Sequence, residues 1–410
     1  MYSTLERFLR YVTFDTQSAD DAVTVPSTAG QFELARQLVT ELEELGLKDV
    51  RLSNNAYVTA TLPGNSAKKL PKIGFIAHLD TATEVSGKDV KPRVIEKYEG
   101  GDILLNEEQG IVLSPQVFPC LSEWIGEDLV VTDGTTLLGA DDKAGIAEIM
   151  GAVDYLVRHP EIEHGEMKVA FTPDEEVGHL AKFLDLEAFG ADFAFTVDGG
   201  PIGEYCYENF NAVSATVKIK GRAVHPGEAK GLMLNAVMLG HELLALFPPC
   251  ETPAATEGYE GFYHCIDFRG ATEEATLKFI IRDHDGAKFE GRKSFAERAV
   301  RWMQDKYGEE RFELTIAEQY RNMAEKLSGR TDIVEAMVEA MRAAGIEPKN
   351  KPMRGGTDGA ALSWRGLVTP NFFSGGYNYH GRFEFIPVKA LEKATEVIVR
   401  IMELYARKSD

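Results

Sequence analysis

The chain has 410 residues, room for two domains and a sizeable core, and 44% hydrophobic and 10% aromatic residues make it globular rather than disordered. Its 65 Asp and Glu outweigh 44 Lys and Arg, for a formal charge of -21. Such a field repels phosphate backbones and anionic lipid, which argues against nucleic acid and membrane surfaces as partners. The start, Met1-Tyr2-Ser3-Thr4-Leu5-Glu6-Arg7, is charged and leads into no apolar run, so it does not read as a signal peptide. Cys120, Cys206, Cys250 and Cys265 form no CxxC pair and no disulfide-like framework, and a reducing cytoplasm is the expected compartment.

In chain order, Thr28-Ala29-Gly30-Gln31 has capping-box spacing and predicts a helix with Phe32, Ala35, Leu38, Val39, Leu42 and Leu45 on one face, stopped by Gly46. Strands are predicted over 57–62 and 72–77, the second ending in His78-Leu79-Asp80. Residues 83–136 read as loops and small hairpins. Gly139-Ala140-Asp141-Asp142-Lys143-Ala144-Gly145 then sets two adjacent carboxylates and a lysine at the mouth of a helix, whose buried face is Ile146, Ile149, Met150, Val153, Leu156 and Val157. Acidic residues in a first turn often serve only to cap, because a helix N-terminus carries partial positive charge. Two further strands follow: 167–171 runs into Thr172-Pro173-Asp174-Glu175-Glu176-Val177-Gly178, and 192–197 into Asp198-Gly199-Gly200. Strands alternating with helices predict an α/β fold with a helix-covered, mostly parallel sheet.

Near Asn211 the pattern changes: Val213, Ala215, Val217 and Ile219 alternate with polar residues, so this strand has one wet face. A helix over 235–247, strands over 263–269 and 275–283, a helix over 287–307 and a strand over 312–316 complete a βαββαβ order, a compact α+β sandwich. The expected division is a catalytic domain of 1–212 and 319–410, with an inserted lid or dimerisation domain of 213–318. Helices over 333–344 and 387–406 return to the first domain.

Acidic and imidazole side chains recur at strand ends, where open α/β sheets bind ligands. His78 and Asp80 follow one strand, Glu175 and Glu176 a second, Asp198 a third and His380 a fourth, with Asp141 entering at a helix start. Two imidazoles and several carboxylates suit zinc, manganese or cobalt. Adjacent glutamates can divide metal binding from proton transfer. Asp80, two residues from His78, can hold the imidazole tautomer from behind.

These motifs, with Val224-His225-Pro226-Gly227, Arg354-Gly355-Gly356-Thr357-Asp358-Gly359 and Ser374-Gly375-Gly376-Tyr377-Asn378-Tyr379-His380-Gly381, resemble the tripeptide-aminopeptidase branch of the di-zinc exopeptidase family, which also holds aminoacylases and glutamate carboxypeptidases. The resemblance covers essentially the whole chain. It implies two Zn2+ per chain, with Mn2+ or Co2+ as alternatives, bridged by Asp141. One would be completed by His78 and Asp198, the other by Glu176 and His380; Glu175 would be the general base, and the Asp141–Asp142 peptide would be cis. His225 matches an oxyanion donor that in dimeric relatives can reach across from a partner subunit, and the sheet edge of the inserted sandwich makes a homodimer through that domain an expectation. Arg282 and Arg354 match readers of a peptide's free carboxylate, a geometry suited to a guanidinium fork, and Asn235 is a third lid contact. A carboxylate site at fixed distance from the metals would act as a ruler for tripeptides.

Competing readings are specific. His241-Glu242 suggests a zincin, but position 245 is Ala and HExxH is absent. A glycosidase with paired carboxylates would not need His78 and His380. A catalytically silent binding protein would not keep Glu175. A sibling dipeptidase, carboxypeptidase or N-acyl amino acid deacylase shares the same hydrolytic residues and stays open.

Overall fold

The computed structural model describes residues 2–408, which divide into two compact units. The first holds the chain up to Tyr207, Glu325–Lys351 and the chain from Thr357; the second holds Glu208–Ala324 and Pro352–Gly356.

In the first unit an eight-stranded sheet runs Lys48–Leu52, Val58–Leu62, Met167–Thr172, Ile73–His78, Phe193–Gly199, Asn371–Phe373, Glu204–Cys206, Lys349–Asn350. The four central strands, from Met167–Thr172 to Asn371–Phe373, are parallel, while antiparallel pairs appear only toward the edges. Side chains of a strand alternate between faces. Phe75, Ala77, Val169, Phe171, Phe193 and Phe195 accordingly enter one core, and Ile76, Ala170 and Ala194 enter another. Both faces are thus covered, the condition under which parallel strands read as continuous apolar runs.

The helix Ala140–Arg158 packs on the strands Ile73–His78 and Phe193–Gly199 and also against the helices Thr4–Tyr11 and Val388–Arg407. Enclosed on several sides, it buries Lys143, Glu148 and Asp154 as well as the predicted apolar stripe from Ile146 to Leu156, with Val157 half-buried. Buried charge is tolerated when paired. Arg7 Nη1 lies 3.1 Å from Asp154 Oδ2 and Arg7 Nε 3.4 Å from Glu41 Oε2, and Tyr11 Oη donates to Glu41 Oε2 at 2.8 Å.

The helix predicted after Thr28 spans Gly30–Glu44, but no capping box forms. Gln31 Nε2 donates to Asp174 Oδ1 at 2.6 Å, and Thr28 Oγ1 turns to Gln17 O at 2.8 Å. The loop stretch contributes Leu129–Val131 and Arg93–Ile95 to a three-stranded sheet completed by Phe385–Pro387, and forms the hairpin Ile103–Asn106/Ile111–Leu113, with a small core of their own.

The second unit is a four-stranded antiparallel sheet in the order Phe262–Gly270, Glu274–Asp283, Asn211–Lys220, Phe312–Tyr320. The helices Ala236–Leu244 and Gly286–Tyr307 pack on it, and Val213, Val217, Leu277, Phe279, Leu243 and Met303 are among its core residues. Its limits fall outside 213–318 because the entering and leaving segments are clasped. Asn209 N donates to Asn322 Oδ1 (3.1 Å), Asn322 N to Asn211 Oδ1 (3.0 Å) and Met323 N to Asn209 Oδ1 (2.8 Å). Residues 352–356, expected with the first domain, join this unit because Arg354 bonds its 256–260 loop. Among the described residues no helix is long and apolar enough to cross a membrane.

Candidate metal centre

The parallel strands bring the scattered residues to one end of the first unit's sheet. His78 closes Ile73–His78, opposite Thr172 in the neighbouring strand, and Asp198 lies near the end of Phe193–Gly199. The Asp141–Asp142 peptide is cis, and both residues lie outside helical backbone geometry, so the regular helix begins only after them. The two carboxylates then part ways. Asp142 is fully buried and accepts from His78 N at 3.1 Å and Gly145 N at 3.3 Å, which is the capping role. Asp141 turns both oxygens to imidazoles: Oδ1 lies 3.0 Å from His78 Nε2 and Oδ2 3.3 Å from His380 Nε2. Glycine is required nearby. Gly139 has φ +81°, and a Cβ on Gly145 would stand 2.0 Å from Val197 O.

Each imidazole meets a second carboxylate. His78 Nε2 is 3.6 Å from Asp198 Oδ1, and His380 Nε2 is 3.1 Å from Glu176 Oε1. Ligand atoms of His78, Asp141 and Glu176 all lie within 4.8 Å of one another, as do those of His78, Asp142 and Asp198. We give Asp142 less weight as a ligand because its oxygens already accept two backbone N–H groups. Behind the imidazoles, His78 Nδ1 is 3.0 Å from Asp80 O, and His380 Nδ1 is 3.2 Å from Glu84 Oε1. An Nδ1–H donating there leaves each Nε2 lone pair directed at the carboxylates. The Asp80 carboxylate accepts from Glu175 N at 3.0 Å and Glu176 N at 3.1 Å, so it fixes the loop carrying both glutamates. Asp174, buried, accepts from Ser27 N at 2.7 Å and from Gln31 Nε2, anchoring that loop from the other side.

The electrostatics fit bound cations. Burial, reinforced by neighbouring carboxylates, pushes Glu176 up to about 7 and Asp198 up to about 6, and drives Glu175 and Asp142 well above the usual carboxylate range. His380 is pushed up to about 12 by Asp141 and Glu176. Burial alone would lower His78, but Asp198, Asp141 and Asp80 outweigh it and raise it. Divalent cations would favour the neutral imidazoles and ionised carboxylates, releasing the protons that these raised values retain.

The four substrate candidates all lie in the second unit. Exposed His225 precedes the turn Pro226–Glu228, and its Nδ1 accepts from Gly227 N at 3.2 Å. Asn235 is the N-cap of Ala236–Leu244, so its side-chain oxygen is already taken by Val237 N at 2.9 Å. Arg354 is no free fork: Nη1 donates to Gly258 O (2.8 Å) and Glu260 O (2.9 Å), and Nη2 to Thr256 Oγ1 (2.8 Å). Arg282 Nη1 donates to Arg354 O at 3.0 Å, while its Nε is buried without a hydrogen-bond partner. Its guanidinium stands 5.9 Å from the Phe262 ring and 5.6 Å from the Tyr320 ring.

Three residues near the centre escaped the sequence reading. Glu84 backs His380, Asp358 is buried and accepts from Thr172 Oγ1, and Glu384 accepts backbone N–H groups around Asp141. Only their position within quoted or neighbouring motifs could have flagged them.

The model of peptidase family M20/M25/M40 matches residues 130–404. Peptidase T of Caldanaerobacter subterraneus subsp. tengcongensis is 55% identical over 408 residues, covering 100% of both chains. Peptidase T of Desulfitobacterium hafniense strain Y51 is 57% identical over 408 residues, covering 100% of this chain and 99% of its own. The crystal structure of aminopeptidase PepT from Bacillus cereus shares the fold with a TM-score of 0.77 at 22% identity, covering 98% of each chain. Carried by the family model over two thirds of its length and by these relatives from end to end, the chain belongs to peptidase family M20/M25/M40 and, within it, to the peptidase T group.

Proposed function

We propose that this chain is a di-metal aminopeptidase that hydrolyses the N-terminal residue from tripeptides. The observation that carries the reading is the division of Asp141, one oxygen toward His78 and Asp198 and the other toward His380 and Glu176. His78 and Asp198 would hold one cation, His380 and Glu176 the other, and Asp141 both; zinc suits this donor set, and manganese or cobalt can replace it. When bound, the pair supplies a water of lowered pKa and polarises the scissile carbonyl. Glu175 takes a proton at its carboxylate and returns it to the leaving amine nitrogen. Asp80 keeps Glu175 in place through its backbone N–H and keeps His78 in the tautomer that presents Nε2.

Arg282 is the candidate reader of the peptide's carboxylate, with Arg354 supporting it by holding the 256–260 loop. His225 would donate to the oxyanion, in its own subunit's site or a partner's, and Asn235 would contact substrate with its remaining amide hydrogens. A homodimer through the second unit is part of the proposal, supported by its two free sheet edges, Phe262–Gly270 and Phe312–Tyr320. So is a cytoplasmic location, supported by four cysteines that form no disulfide. The test is to incubate di-, tri- and tetrapeptides with chelator-stripped and zinc-loaded protein and to identify product masses. Release of the first residue from tripeptides alone, and only with metal, is expected. Cleavage of dipeptides or of the C-terminal residue would favour a sibling exopeptidase.

A further inference from the structure

The His380 loop is closed at its base by Tyr377 and Phe385, whose backbones exchange hydrogen bonds of 2.9 and 3.1 Å, and by Asn378 Nδ2 donating to Phe383 O at 3.0 Å. Glu384 sits one residue before that closure, yet its side chain leaves its own loop. Oε2 accepts from Leu138 N and Gly139 N, each at 2.7 Å, and Oε1 accepts from Asp141 N at 3.2 Å. The residue is 1% exposed. Gly139, in the left-handed region, turns the chain so that these N–H groups converge on one carboxylate, as in the anion-binding nests that backbone amides form.

Two chain segments are thereby joined twice. Phe385 pairs with Val131 between the strands Phe385–Pro387 and Leu129–Val131, and beyond that pairing Glu384 ties the His380 loop to the turn that delivers Asp141. The outcome is a 3.3 Å approach of His380 Nε2 to Asp141 Oδ2. A carboxylate that only capped the helix would need no link to His380. We infer that Glu384 is a positioning residue: by clamping residues 138–141 to the His380 loop it sets the spacing of two ligands and hence the affinity for the cation they share. This rests on the metal pair proposed above.

The test is Glu384→Gln, which keeps the shape but turns an NH2 toward a backbone N–H. Wild type and variant, stripped with chelator, are titrated with Co2+ alone by calorimetry, and apo melting curves are recorded. Wild type should take up two ions. The variant should bind one of them about 10- to 100-fold more weakly, the usual effect of losing a partner behind the ligands, with an apo melting temperature close to wild type. Raising Co2+ until both sites are filled should restore its kcat for a tripeptide, while KM holds throughout. Both ions bound within about twofold of wild type would overturn the inference (the threshold lies well inside the expected effect). So would an apo variant that no longer folds, because Glu384 would then hold the fold rather than the cation. Should wild type itself take up no ion pair, the metal reading fails first and this inference falls with it.

Discussion

Asp80→Asn tests how much the clamp beneath Glu175 contributes. Asp80 is fully buried, and its two oxygens are each in use, Oδ1 by Glu175 N at 3.0 Å and Oδ2 by Glu176 N at 3.1 Å. In asparagine one of these positions becomes an NH2 facing an N–H, so one hydrogen bond to a charged acceptor is lost and a buried donor is stranded. A bond of that kind is worth about 1.5–3 kcal/mol. Taking about 2–3 kcal/mol as the cost to the loop conformation that presents Glu175, the competent population falls about 30- to 140-fold. Proton transfer belongs to the chemical step, so the loss should appear in kcat, with KM for a tripeptide within about threefold of wild type. The assay is steady-state release of the N-terminal residue, with free metal raised until the rate no longer changes. A kcat within about threefold of wild type at that plateau would refute the clamp, being far short of the loss worked out above. A deficit that vanishes as metal is raised would show that Asp80 acts only through His78.

Glu175→Ala should abolish turnover while metal content stays near that of wild type, measured by atomic emission; metal lost together with activity would show that Glu175 is a ligand. Arg7→Met removes one charged partner from each of Glu41 and Asp154, which keep Arg10 and Arg158 respectively, and the loss of two bonds to buried carboxylates costs about 3–5 kcal/mol. The melting temperature should drop by about 5–8 °C with the tripeptide KM unchanged, and a drop below about 2 °C would discount the network. Glu148 is buried with neither carboxylate oxygen hydrogen-bonded, and burial raises it well above the ordinary glutamate value. A raised folded-state value means that the unfolded chain ionises first, so stability is lost as pH rises beyond the unfolded value of about 4.3. Glu148→Gln removes that slope. Its melting temperature should gain on wild type between about pH 5 and pH 8, and parallel curves would show that Glu148 is solvated.

Much of the candidate centre was legible because continuous apolar runs end abruptly in imidazole and carboxylate side chains. His78, Asp198 and the Glu175–Glu176 pair announce themselves at strand ends, and the parallel order follows from strands alternating with helices. The second unit's βαββαβ order was equally plain from its alternation. Partners that act across the chain were not. Glu384 meets Leu138 from 246 positions away and Glu84 meets His380 from 296, separations that leave no local spacing to recognise. The capping box at Thr28 failed for the same reason, since Asp174 recruits Gln31 from 143 positions away. Arg354 was legible as a fork but not as one already engaged by four carbonyl or hydroxyl oxygens of the 256–260 loop.

The asparagine clasp of Asn209, Asn211 and Asn322 has an engineering consequence. Because the incoming and outgoing strands of the second unit are stitched side by side, the ends of its long segment, 208–324, nearly coincide, while the short segment 352–356 returns to the unit separately. A foreign module whose termini meet at a similar spacing could be grafted there without rethreading the eight-stranded sheet, provided that it supplies Arg354 with a new anchor in place of the 256–260 loop.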